Sequence, residues 1–269
     1  MRFTVASPLM PDAIVDYDLS NGKWNIIQQQ NLLHERTLVL YGSASSVNIS
    51  KDFSSSNAKD DHSWNDLSEY FACEYYDVSS HDGVLVPLTI IYSRHRKKGS
   101  QSPGLLHGLG AYGEILDKRW RSELKSLLDR GWVIAYADVR GGGVGGRKWH
   151  YDGRRTEKLN SVRDFVSCAK FLIEEEIVQE RKLAGWGYSA GGLLVASAIN
   201  SCPDLFRAAF LNVPFLDPSS TLVHPILPLT PADYEGYPGD VEDFQAIRQY
   251  SPTIIFQKTL YPARMKSFA

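Results

Sequence analysis

The residues best suited to chemistry are Gly187-Tyr188-Ser189-Ala190-Gly191, with Gly192 directly after them. They fit G-x-S-x-G, in which a serine stands on a turn so sharp that its flanking positions must be small. A serine presented this way acts as an acylating nucleophile once a base takes its proton. The N–H of Ala190 lies at the start of the helix expected next. Free N–H groups and the helix dipole there favour a developing oxyanion. A second run, Asp138-Val139-Arg140-Gly141-Gly142-Gly143-Val144-Gly145-Gly146, carries the formal dinucleotide spacing in Gly141, Gly143 and Gly146. Trp149, His150 and Gly153 break the pattern where a periodic helix should open. Arg147-Lys148 follow Gly146, so it is not a P-loop either. The run reads as a loop whose glycines let backbones approach closely.

The elements around the serine are those its motif requires. Residues 183–186 form a short apolar strand before it, and residues 190–199 an Ala-rich helix after it. Upstream, residues 71–76 and 84–92 read as strands around the turn His81-Asp82-Gly83, and Gly104-Leu105-Leu106 is a short apolar segment. A helix is expected near 118–130, with Asp117 as cap and Gly131 as stop. Residues 132–137 form a strand. Val162, Phe165, Val166, Ala169, Leu172 and Ile173 then share one face of a helix capped by Asn160. Residues 208–213 are another strand. Strands alternating with helices predict an α/β fold with a mostly parallel sheet. Residues 1–45 are β-structure, with Asn21-Gly22 marking a hairpin between Ala13-Ile14-Val15 and Trp24-Asn25-Ile26-Ile27. Residues 46–66 form a polar connection.

Composition narrows the function classes. The chain has 269 residues, room for one large domain or a domain with a fragment of another. Its formal net charge of −2 favours neither nucleic acid nor an anionic membrane as partner. Cys73, Cys168 and Cys202 show no CxxC spacing and read as thiols in a reducing compartment, with no metal site. There is no secretory h-region and no apolar run of transmembrane length, so a cytoplasmic protein is expected. The sequon Asn48-Ile49-Ser50 is then a chance match.

Several segments in order resemble the prolyl oligopeptidase family of serine peptidases. They are Gly108-Leu109-Gly110-Ala111-Tyr112-Gly113, Ala137-Asp138-Val139-Arg140-Gly141-Gly142-Gly143, residues 185–194, Pro203-Asp204-Leu205-Phe206 and Tyr250-Ser251-Pro252. Within the family the chain is most similar to the oligopeptidase B branch and its plant homologues, over about residues 68–258. The resemblance implies an α/β-hydrolase fold, with helices on both faces of the sheet, over residues 67–269. It also implies that residues 1–45 are the hairpin remnant of a β-propeller blade. It makes Ser189 the catalytic nucleophile in hydrolysis of short peptides, with no cofactor. Acidic residues after a Pro-Leu-Thr segment select basic residues in oligopeptidase B relatives. Here Pro228-Leu229-Thr230 precedes Asp233 and Glu235, which implies cleavage after Lys or Arg. A solvated acidic loop is the alternative reading of that pair. Arg140 is the third expected substrate-binding residue.

Three departures bear on activity. Leu109 stands where the family carries an aromatic hydroxyl donor to the oxyanion. The segment Glu235-Gly236-Tyr237-Pro238 is shorter than in relatives. The triad order in this fold is Ser…Asp…His. Only His224 follows Ser189, and it does not match the family's catalytic position. His107 and His150 precede the serine, match no triad position and are expected to be structural or exposed. The chain is therefore expected to be truncated at its C-terminal end and weakly active or inactive alone. An α/β-hydrolase esterase and a non-catalytic fragment are the competing readings.

Overall fold

The computed structural model describes residues 1–30, 64–96, 102–223 and 236–255, with the backbone of 266–268. Residues 31–63, including the Asn48 sequon, lie outside the described residues, as do His224, Pro228-Leu229-Thr230, Asp233, Glu235 and residues 256–265.

The N-terminal hairpin forms as expected and gains a third strand. Strands β1 (Arg2–Ser7), β2 (Met10–Tyr17) and β3 (Trp24–Gln29) make an antiparallel sheet in that order. Of the Asn21-Gly22 pair only Gly22 has positive φ, at 69°. Asn21 works through its side chain: Nδ2 donates to Asp18 at 2.7 Å, and Oδ1 accepts the Lys23 N–H at 2.9 Å. The small sheet meets the rest of the chain through backbone bonds from Leu67 to Leu9 and from Trp120 to Ser7, both 3.0 Å. Trp24 stacks on Trp64 at 5.1 Å.

The large sheet contains β4 (Phe71–Ser79), β5 (Leu85–Ser93), β6 (Gly104–Gly108), β7 (Val133–Ala137), β8 (Leu183–Tyr188), β9 (Ala208–Asn212) and β10 (Lys266–Phe268). Their order is β10-β9-β8-β6-β7-β5-β4. The five strands from β10 to β7 are parallel; β5 runs antiparallel to β7, and β4 to β5. The helices are α1 (Ser122–Leu128), α2 (Gly146–Tyr151), α3 (Lys158–Glu174), α4 (Ala190–Ser201), α5 (Pro218–Thr221), α6 (Val241–Tyr250) and α7 (Pro252–Ile255).

Period-two alternation supplies both faces of the sheet. Ile90, Leu106, Val133 and Ala135 pack with α3 and α4 residues such as Phe165, Leu172 and Leu194. Their neighbours Ile91, Leu105 and Ile134 face the other way, onto α1 and Leu9. The expected α/β fold with helices on both faces is what forms.

Three boundaries differ from expectation. Asp117 does not cap α1, because its carboxylate takes the Arg119 backbone N–H at 3.0 Å and the Arg119 guanidinium. Asn160 sits inside α3, donating to the Asp152 carbonyl at 3.0 Å, and the helix starts at Lys158. A six-residue helix, α2, opens at Gly146 where none was expected. It is too short to show a period.

Candidate active site

The G-x-S-x-G residues occupy the junction from β8 into α4, at the C-terminal end of the parallel strands. Ser189 has φ 51° and ψ −114°, a conformation that L-residues rarely adopt. Such strain costs on the order of 1–3 kcal/mol and persists only where the surroundings over-determine it. Here they do. The Ser189 N–H donates to the Asn212 carbonyl at 3.0 Å, and the Ser189 carbonyl accepts from Phe215 at 3.1 Å and Gly192 at 2.9 Å. A Cβ at Gly187 would sit inside the Gly191 backbone, and one at Gly191 would lie 2.5 Å from the Gly108 carbonyl oxygen. The elbow is thus wedged between its own helix and the end of β6.

Ser189 is half-buried and Ala190 fully buried. The Ala190 N–H stands at the first turn of α4, where intrahelical acceptors are lacking. A second strained residue, Val213 at φ 45°, follows β9 beside the Asn212 carbonyl that holds Ser189. Nothing in the sequence marked it, because a β-branched residue carries no signal for positive φ.

The glycine-rich run is a packing device. Gly141, at φ 91°, has no room for a Cβ between the carbonyl oxygens of Gly110 and Gly153. Backbone bonds join the loops: Gly113 to Gly141 at 3.0 Å, Gly143 to Glu114 at 2.9 Å, Gly141 to Trp149 at 2.9 Å. The buried Lys158 ammonium donates to the Gly110 carbonyl at 2.8 Å. The turns around Gly110, Gly141 and Gly153 are thereby pressed together beside the nucleophile turn.

Arg140 is not presented at the mouth of the site. Its side chain is 4% exposed and carries four hydrogen bonds to carboxylates. Nε and Nη2 bond Asp164 at 2.9 and 2.6 Å; Nη1 and Nη2 bond Asp82 at 2.6 and 3.2 Å. Burial pulls the guanidinium pKa down, but the bonds to Asp164 and Asp82 outweigh it and raise it. The bond to Arg140 holds Asp82 at about 2. The guanidinium is thus held by one fully buried carboxylate, Asp164, and one partly exposed carboxylate, Asp82. Separations of 24 and 58 residues hid the pairing from the sequence.

His107 and His150 are held in the scaffold by hydrogen bonds to backbone carbonyls. His107 Nδ1 donates to the Trp186 carbonyl at 2.8 Å, and its ring stacks on Trp186 at 4.1 Å. Desolvation pushes its pKa down to about 4. His150 donates to the Gly141 carbonyl at 3.0 Å. Leu109 is half-buried among apolar neighbours. Among the described residues no side chain hydrogen-bonds the Ser189 hydroxyl. No helix among them is long and apolar enough to cross a membrane.

Comparison with known proteins agrees with this geometry. Rat prolyl endopeptidase-like protein is 39% identical over 190 residues, covering 70% of this chain and 26% of that protein. Protease 2 of Moraxella lacunata is 35% identical over 194 residues, 71% of this chain and 28% of that protein. The chain therefore spans about a quarter of the length of the curated relatives it matches. Oligopeptidase B from Trypanosoma brucei, solved with covalently bound antipain, superposes with a TM-score of 0.76 at 28% identity. That match covers 93% of this chain and 32% of the other. The profile of the prolyl oligopeptidase family matches residues 118–265, more than half of the sequence. The chain belongs to the prolyl oligopeptidase family of serine peptidases.

Proposed function

We propose that this chain carries the nucleophile half of a peptidase site, in which Ser189 attacks the carbonyl carbon of a peptide bond. The observation that carries the reading is the strained Ser189 backbone at the head of α4, inside the segment that matches the family. In the first step the Ser189 hydroxyl adds to the carbonyl and its proton passes to a base. The tetrahedral oxyanion sits against the Ala190 N–H. Collapse expels the amine, and water later releases the acyl group from Ser189.

The base and its orienting acid belong to the sequence order Ser…Asp…His. His224 alone follows Ser189, and it lies outside the described residues. We therefore assign this 269-residue chain weak activity by itself. Its site also has Leu109 where an aromatic hydroxyl would help hold the oxyanion, and loss of one such donor lowers the rate about 10²–10³-fold.

For specificity we assign Asp233 and Glu235 to a Lys or Arg side chain before the cleaved bond, which places the chain with the oligopeptidase B branch. We read the small sheet as part of a propeller blade, residues 46–66 as a linker and residues 67–269 as the hydrolase portion. The substrates are short peptides.

A substrate panel tests this reading. Peptide amides with Arg or Lys at the cleavage position should be hydrolysed slowly and in preference to p-nitrophenyl esters and Pro-containing amides. Ser189→Ala should abolish that hydrolysis, and Asp233→Asn with Glu235→Gln should remove the preference for basic residues. Faster turnover of the esters would identify an esterase instead.

A further inference from the structure

A guanidinium and two carboxylates lie in one cluster whose centre is closed to solvent. The Arg140 side chain is 4% exposed, Asp164 0% and Asp82 34%. Burying charges costs several kcal/mol per ion before their attraction returns it, so such a cluster is weak evidence for stability. Its better-attested use is to fix one arrangement of the surrounding chain, and the contacts show which.

Asp164, on α3, also accepts the Arg140 backbone N–H at 3.0 Å and the buried Ser80 hydroxyl at 2.6 Å. The Ser161 hydroxyl, one turn earlier on α3, donates to the Arg140 carbonyl at 2.6 Å. Both ends of residue 140 are thus tied to α3. Its neighbour Gly141 is the residue wedged against Gly110, and its carbonyl accepts from Gly113 at 3.0 Å. Gly110 continues from Gly108, whose carbonyl oxygen faces the Gly191 position at the start of α4. A continuous path of packed backbone joins Arg140 to the turn of α4 that carries the Ala190 N–H.

We propose that the Asp82–Arg140–Asp164 cluster is a positioning device for the oxyanion side of the Ser189 site, acting through the glycine-rich loops and not on substrate. The proposal rests on Ser189 being the nucleophile. Lysine in place of Arg140 keeps the charge but loses the planar fork that grips two carboxylates at once. A misplacement of about 1 Å at a reacting group costs on the order of 10²-fold in rate.

The test compares Arg140→Lys and the milder Asp82→Asn with Val86→Ala, a fully buried core variant on β5. Temperatures are chosen to give equal fractions unfolded. Two quantities are read: amide exchange at Gly113, Gly141, Gly143 and Gly192, and Ser189 labelling by a fluorophosphonate, split into maximal rate and half-saturating concentration. In the cluster variants, exchange at these amides should rise at least tenfold over Val86→Ala. The maximal labelling rate should fall at least tenfold, with the half-saturating concentration unchanged. Exchange no faster than in Val86→Ala would overturn the proposal. So would a rise in half-saturating concentration alone, which would return Arg140 to substrate contact. Absence of labelling in the unsubstituted chain counts against the nucleophile reading only; the exchange comparison then decides the positioning claim by itself.

Discussion

Gly187 and Gly22 both lie at turns, one at the nucleophile elbow and one in the small N-terminal sheet. A Cβ on Gly187 would enter the Gly191 backbone, whereas the nearest atom to a Cβ on Gly22 is the Tyr17 hydroxyl at 3.7 Å. At Gly22 only the backbone angle calls for glycine. At Gly187 space alone does, and the neighbouring backbone cannot yield without moving Ser189. The same contrast holds for charges. Arg140, Asp82 and Asp164 share a largely enclosed cluster, while Arg2 and Asp16 pair at 2.7 Å on the open surface. In the elbow region backbones touch, whereas in the small sheet few groups are enclosed.

Substitutions can break or sharpen that contrast. The largest effect should come from Gly187→Ala, which forces backbone apart and should lower stability by about 4 kcal/mol or more, read by urea unfolding. A loss under about 1 kcal/mol would show that the elbow relaxes easily.

Next comes the pH dependence set by His107. Its folded pKa of about 4 lies below its ordinary value of about 6.5, so the fold binds the neutral ring. Between those values the unfolded chain takes up the proton and the folded one does not. This contribution is therefore complete above about pH 6.5 and is lost as pH falls toward 4. The shift corresponds to on the order of 3 kcal/mol. His107→Phe should flatten the stability profile across that window; an unchanged slope would assign it to other groups.

Gly22→Ala should cost only about 1 kcal/mol, the penalty for positive φ without a steric clash. The smallest effect belongs to Asp16→Asn, which removes an exposed partner of Arg2 and should leave the melting temperature within error. A clear drop there would mean the small sheet is more tightly organised than its exposure indicates.

Local signals in the sequence carried much of this architecture. The strands β4 to β9 follow apolar runs bounded by turn residues, and α4 follows the G-x-S-x-G motif. Ser189 was legible because sharp turns demand flanking glycines, and the glycine-rich run was legible as a close-contact loop. The partners of those glycines were not, because Gly110, Gly141 and Gly153 meet only when β6, β7 and α3 have packed. Arg140 shows the same limit: its carboxylate partners come from a distant turn and a later helix. The start of α1 shifted because Asp117 has a competing local partner in Arg119.

The most direct test of the account is fluorophosphonate labelling of the 269-residue chain, followed by peptide mapping. The label should fall on Ser189 alone, vanish in Ser189→Ala, and form at least about 10³-fold more slowly than on a full-length relative with a complete triad. Label on another residue would contradict the assignment of the nucleophile. Labelling of Ser189 as fast as in the full-length relative would contradict the weak activity proposed for this chain.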